Sequence, residues 1–226
     1  MTKTAFVNNT HLTNMLTLLF LASIVLTLVE LLFVGGNIEV LRNTTLPPDQ
    51  IPQPEGLEAF LKATSSAVGI SLNICFIIWF KRSYQNLKAW GVEGLGWSPL
   101  MAILCWFIPL ANLVIPLLIA IEIDKASRPE SIDQDGKAWK SLPVDRLVLI
   151  WWASFVGAIL VSVRPMIGYS GTMTHEFLIG VLEQQYIAAP LTILSAYFAM
   201  RMVQQINRNQ VQRQQMKNND FQSFMA

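Results

Sequence analysis

Apolar residues run along this chain in long blocks separated by short polar stretches. Five blocks stand out, at about 14–36, 60–80, 98–123, 147–163 and 177–200. A helix that crosses a bilayer needs about 20 mostly apolar residues, because the hydrocarbon core is roughly 30 Å thick and the helix rises about 1.5 Å per residue. The first, second, fourth and fifth blocks are read as such spans. The first is long and lacks a clear cleavage site before a polar start, so it is read as a retained span and not as a cleaved signal.

The third block is different. It contains "FIPLANLVIP", with Pro109, Asn112 and Pro116 inside an otherwise apolar run. Pro109 cannot donate to the carbonyl four residues back and pushes Ile108 out of helical dihedrals. A first half-helix capped by Ser98 and Pro99 is therefore expected to end near Pro109, after about ten residues or roughly 15 Å. Asn112 is then expected to cap a second half-helix carrying Pro116 in its first turn. The block reads as a re-entrant hairpin, with a kinked fifth span as the alternative.

Positive charge bears on that choice, since cytoplasmic loops are enriched in Lys and Arg. With a re-entrant third block and a cytoplasmic N-terminus, 13 of the 16 basic residues lie inside, and Arg42, Lys62 and Arg164 lie outside. If the block crosses, the better orientation leaves 11 inside. The difference rests mainly on Lys81, Arg82 and Lys88, which flank a span.

The expected architecture is thus an all-α integral membrane protein with four transmembrane helices and one proline-broken re-entrant helical hairpin, or alternatively five transmembrane helices. Residues 1–205 form a single membrane domain, and 206–226 a polar cytoplasmic tail that extends the last helix and frays. Composition agrees, because 53% hydrophobic and 14% charged residues leave too few polar side chains to cover a soluble domain. The expected location is the inner, plasma membrane, with both termini cytoplasmic.

The sequence around the third block reads "WFKRSYQNLKAWG", "WSP", "IPLANLVIP", "KAS" and "WW". In Trp79, Arg82, Tyr84, Asn86, Ser98, Pro99, Pro109, Asn112, Pro116, Ser127, Trp151 and Trp152 it resembles an uncharacterised family of small bacterial multi-span membrane proteins, classed as a domain of unknown function. The resemblance covers about a third of the chain. It implies bacterial origin and membrane embedding, and carries no established activity.

Polar residues within the blocks supply the candidate site. Glu183 lies in the fifth span, and an intramembrane carboxyl is a functional-site candidate by default. Arg164 ends the fourth span on the same side and could snorkel to pair with it. Arg82 and Asn86, four apart, are expected to share a face beside Tyr84, where they bind lipid phosphate, cap the half-helices or stay hydrated. Stripes such as Ser65, Gly69 and Asn73, or Ala153 and Gly157, read as helix packing. Six tryptophans, Trp79, Trp90, Trp97, Trp139, Trp151 and Trp152, are expected in a cytoplasmic interfacial belt, with Trp106 packed more deeply.

No catalytic, cofactor or metal site is assigned. His11 and His175 are too far apart and unsupported by carboxylates. Gly168, Tyr169, Ser170 and Gly171 with His175 superficially resemble a serine-protease motif, but no scaffold sets the histidine opposite the serine. The function expected is a non-catalytic structural, assembly or regulatory component of a membrane complex. The alternative is a small transporter or channel using the broken segment with Asn73, Asn112 and Glu183. Membrane lipid, other membrane subunits or a second copy are the expected partners, without nucleic acid or cofactor.

Overall fold

The structure, a computed structural model, describes residues 5–51, 55–132, 136–167, 171 and 174–225. Among them there is no strand. Six α-helices follow in order: α1 (Thr10–Asn43), α2 (Gly56–Ala89), α3 (Met101–Leu104), α4 (Ile115–Ser127), α5 (Arg146–Val163) and α6 (His175–Met225). Helices α1, α2, α5 and α6 are long and apolar enough to cross a membrane. The fold is that of an all-α membrane protein.

Local chemistry explains the helix ends. Asp145 Oδ1 accepts the Leu147 amide at 2.8 Å and opens α5, and Thr174 Oγ1 accepts the Phe177 amide at 3.2 Å and opens α6. Helix α2 stops at Gly91, where φ is +76°. Gly91 N–H donates to the Lys88 carbonyl and Val92 N–H to the Leu87 carbonyl, both at 3.1 Å, the paired bonds of a Schellman end.

The third block is broken, and the break comes earlier than the sequence suggests. Ser98 Oγ does accept the Met101 amide at 3.1 Å, but the helix it starts is a single turn ending at Leu104. Pro109 leaves the Cys105 carbonyl without its usual donor, yet the α-bonding stops before that point, although Trp106, Phe107 and Ile108 keep their N–H groups. Tight turns follow, with Trp106 donating to Ile103 and Phe107 to Leu104, and Leu110 takes φ +64°. After a 3-10 turn at Ala111–Leu113, α4 begins with Pro116 in its first turn, as expected. Asn112 does not cap α4; no side chain caps that end, and the Asn112 amide bonds the Ile108 carbonyl.

The chain divides into two compact units. The first comprises Met1–Leu18, Leu72–Ile150 and Phe198–Ala226; the second comprises Leu19–Ser71 and Trp151–Tyr197. Residues 206–226 fall in the first unit along with the loops around α3 and α4.

The first unit has an apolar centre of Trp79, Phe80, Leu87, Ile119, Ile123 and Val203, each fully buried. Trp106 packs edge-on against Phe76 and Phe80, with ring centroids 5.7 and 5.8 Å apart. Each such pair adds about 0.5–1.5 kcal/mol beyond its buried area. The second unit carries its apolar side chains outward, as Leu32 at 80% exposure and Ile70 at 62% illustrate, which is the arrangement lipid requires. Gly157 of α5 faces Leu191 of α6 there, and a Cβ on it would meet Leu191 Cδ1 at 3.5 Å, an ordinary contact.

Candidate functional site

Polar chemistry concentrates in the first unit, where α2, α4 and the far end of α6 meet. Gln210 of α6 is 1% exposed, a burial that an amide tolerates only when its donors and acceptor are bonded. Its Nε2 donates to the Ser83 carbonyl and to Ser127 Oγ, both at 3.0 Å. Its Oε1 accepts Asn86 Nδ2 at 2.8 Å. Asn86 in turn brackets Val7, donating to its carbonyl and accepting its amide, both at 2.9 Å.

One turn further along α6, Arg213 reaches the Ala126 carbonyl and Ser131 Oγ, and its guanidinium lies 5.0 Å over the Trp90 ring. Ala126 sits in the last turn of α4, whose carbonyls have no intrahelical partner, so Arg213 caps α4 with a charge of the favourable sign. Gln214 Oε1 accepts the Trp90 indole N–H at 2.8 Å.

A second cluster fixes α4 from the other side. Tyr84 is fully buried; its hydroxyl lies 2.8 Å from Glu122 Oε2 and 2.9 Å from the Trp97 carbonyl, and accepts the Trp97 amide at 3.0 Å. Glu122 Oε1 accepts the Gly96 amide at 2.9 Å. Asp124, 1% exposed, pairs with Arg128 one turn on, and Arg128 lies 4.0 Å from Asp145. Gln205 Nε2 donates to Asp145 at 2.6 Å. Burial raises the Asp124 carboxyl above the usual carboxylate range, with Arg128 pulling the other way.

Asn9 Oδ1, Thr13 Oγ1 and Asn207 Oδ1 are buried without a protein partner among the described residues, which makes them natural positions for ordered water. No group of three or more His, Cys, Asp or Glu side chains converges on one point among the described residues.

Of the residues singled out in the sequence, Tyr84 and Asn86 join this cluster, and Pro116 is buried at the start of α4. Arg82 does not share their environment. It is exposed while Asn86 is buried, because residues 83, 84, 86 and 87 form the inward face of α2. Pro109 and Asn112 lie in the break. Arg164 does not meet Glu183; Glu183 Oε1 instead accepts Arg42 Nη2 at 3.1 Å, with both side chains at least half exposed. Arg164 is itself exposed. Asn73 and Asn112 belong to the first unit and Glu183 to the second.

Of the six tryptophans expected near the cytoplasmic interface, Trp79, Trp139, Trp151 and Trp152 are buried against protein. Trp139, for example, donates its indole N–H to the Glu93 carbonyl at 3.0 Å. Gly168, Tyr169 and Ser170 lie outside the described residues.

Sequence reasoning passed over Glu122, Asp124, Gln210 and Arg213. A signal for the last two existed, since Met202, Ile206, Gln210 and Arg213 continue one helical stripe at spacings of four, four and three. Its change from apolar to amide and guanidinium disguised it.

Neither a characterised protein nor a solved structure matches the chain. A family model does, over residues 42–208, which takes in most of the cluster from Tyr84 through Gln205. The chain therefore belongs to the DUF4328 family, a domain of unknown function.

Proposed function

We propose that this protein is a non-catalytic, multi-pass component of the plasma membrane whose first unit forms a rigid platform at the cytoplasmic face. The observation that carries this reading is the sealed set of Asn86, Gln210 and Ser127. These polar side chains are spent on one another, and a buried amide network satisfied in this way confers rigidity and a unique packing.

Charge supports the placement. By position, the first unit holds 13 basic and 8 acidic residues, a net of +5, and the second 3 basic and 7 acidic, a net of −4; together these give the chain's +1. The division by compactness thus coincides with the division that cytoplasmic enrichment of Lys and Arg favours. Both termini are then cytoplasmic. The break between α3 and α4 presents Phe107 at 69% and Leu110 at 79% exposure, an apolar tip suited to dip into the inner leaflet as a re-entrant turn.

Partners in this reading are membrane lipid and other membrane subunits or a second copy. Transport through Glu183 is the weaker reading, because Arg42 already answers its charge.

The test is twofold. Cysteines placed at Ser141 and Asn218, in a chain with Cys75 and Cys105 changed to serine, are expected to react with an impermeant thiol reagent only from the cytoplasmic side, and one at Asp49 only from outside. Full-length protein extracted gently from its own membrane is expected to travel in an assembly well above the 25.4 kDa of one chain. A lone chain by light scattering would sink the component reading, and cytoplasmic labelling at Asp49 would sink the topology.

A further inference from the structure

The second unit contains a cavity of about 530 Å³ that the platform reading does not use. Its size is that of a site for a small organic molecule. On α1, Glu30, Phe33, Val34 and Asn37 line it at one-face spacing; on α2, Glu58, Leu61, Lys62 and Ser65 do the same; α6 adds Leu182 and Gln185. Ser66 completes the lining, so the apolar side chains of Phe33, Val34, Leu61 and Leu182 alternate in the walls with a larger number of polar ones.

The charges are not balanced. At one level, Glu58 Oε1 lies 2.9 Å from Lys62 Nζ and accepts Asn37 Nδ2 at 2.9 Å, so its charge is answered from within the protein. Glu30 lies seven residues from Asn37 along α1, about 10 Å deeper by helix rise. It is half-buried in a spanning helix, and no described residue pairs with it. A carboxylate in such a place is costly unless something compensates it. Ser65 adds an Oγ shielded from solvent and without a hydrogen-bond partner among the described residues.

We propose that this cavity binds a small organic cation, an ammonium or quaternary ammonium group against Glu30 with its apolar body between Phe33, Leu61 and Leu182. An aromatic ring in the wall favours such a cation over a hydrated metal ion. The headgroup amine of a lipid and a free amine share this chemistry.

The probe is radiolabelled tetraphenylphosphonium, measured by equilibrium dialysis on the full-length protein in detergent. Tetraphenylborate, of the same shape and opposite charge, is the control. Saturable binding of the cation at one site per chain is expected, weakened at least tenfold in Glu30→Gln, with no saturable binding of the anion. Lys62→Gln removes a positive charge from the wall and is expected to tighten binding at least threefold. That variant keeps the test open should Glu30→Gln fail to fold.

No saturable cation binding, equal affinity in folded Glu30→Gln, equal binding of the borate, or unchanged or weaker binding in Lys62→Gln would each overturn the proposal. Displacement of the probe by phosphatidylethanolamine but not phosphatidylglycerol would support it and assign the site to a lipid amine. Displacement by neither would support a free cation, and displacement by both would overturn it. All these readouts are independent of whether the protein is a platform.

Discussion

Replacing Gln210 by alanine tests whether the end of α6 is a structural member or a loose tail. The change deletes three hydrogen bonds, to Asn86 Nδ2, the Ser83 carbonyl and Ser127 Oγ. They are not equal losses. Ser83 lies within α2, so its carbonyl keeps its place in the helix ladder, and Ser127 keeps a hydroxyl that can rotate. Asn86 Nδ2 is the exposed point of failure, because one of its two N–H groups still reaches Val7 and the other is left buried and unpaired.

One orphaned buried donor costs about 1–3 kcal/mol, and the space left by the amide adds to it, so a total of about 3 kcal/mol is expected. For a chain of this size that corresponds to a fall in Tm of about 6–12 °C. The assay is thermal unfolding in detergent, and the internal control is Gln212→Ala, two residues along the same helix but exposed. The control is expected to shift Tm by less than about 2 °C, since exposed substitutions cost at most about 0.5 kcal/mol. In the double variant with Asn86→Ala the two losses should fall short of their sum by about 1 kcal/mol, because each removes the other's partner. Equal, near-zero effects of Gln210→Ala and Gln212→Ala would refute the reasoning and return 206–226 to the status of a fraying tail.

Gly91→Ala is expected to cost about 1–2 kcal/mol from its left-handed φ alone, since a Cβ there meets nothing within 4 Å; an unchanged Tm would contradict the Schellman end. Glu183→Gln should change stability by no more than about 0.5 kcal/mol, because its pair with Arg42 is exposed and screened, and a larger loss measured by the same unfolding assay would mean the carboxylate does more. Asp124 has a folded carboxyl raised above its unfolded one, so the folded state holds the proton more tightly. Its contribution is complete below the unfolded carboxylate range and is lost as pH rises through the raised value. Stability is expected to fall over that window in the native chain and to lose that part of its slope in Asp124→Asn, read from Tm against pH.

The spans were readable because lipid imposes a length and a polarity that few other environments demand, and α1, α2, α5 and α6 each contain one of the apolar blocks. The break at Pro109 was readable for a similar reason, as proline removes a donor wherever it stands. Its position was missed by one turn because Trp106 and Phe107 bond three residues back and not four, so the helix ends at Leu104 and not near Ile108. The site was only half visible. Tyr84 and Asn86 attracted attention as polar residues beside a span, but their partners Glu122 and Gln210 lie 38 and 124 residues away, and helical periodicity names a face without naming its neighbour. Pairing Glu183 with Arg164 failed on the same ground. Arg42, 141 residues distant, occupied the place.

These long separations also bear on how the broken segment is held. Helix α4 is 13 residues long and begins without a side-chain cap, so in isolation it would be marginal. It is fixed instead along its later half: Glu122 by Tyr84, Asp124 by Arg128, Ser127 by Gln210, and the Ala126 carbonyl by Arg213. Among the described residues no side chain caps the other end, where Pro116 is buried but Phe107, Leu110 and Val114 are exposed. The segment is therefore anchored at the end that carries its polar chemistry and free at its apolar tip. Loosening Gln210 or Arg213 should release the tip, whereas changing the tip should leave the anchor intact. In the proposed platform, α6 would be the part that sets where the apolar turn can lie.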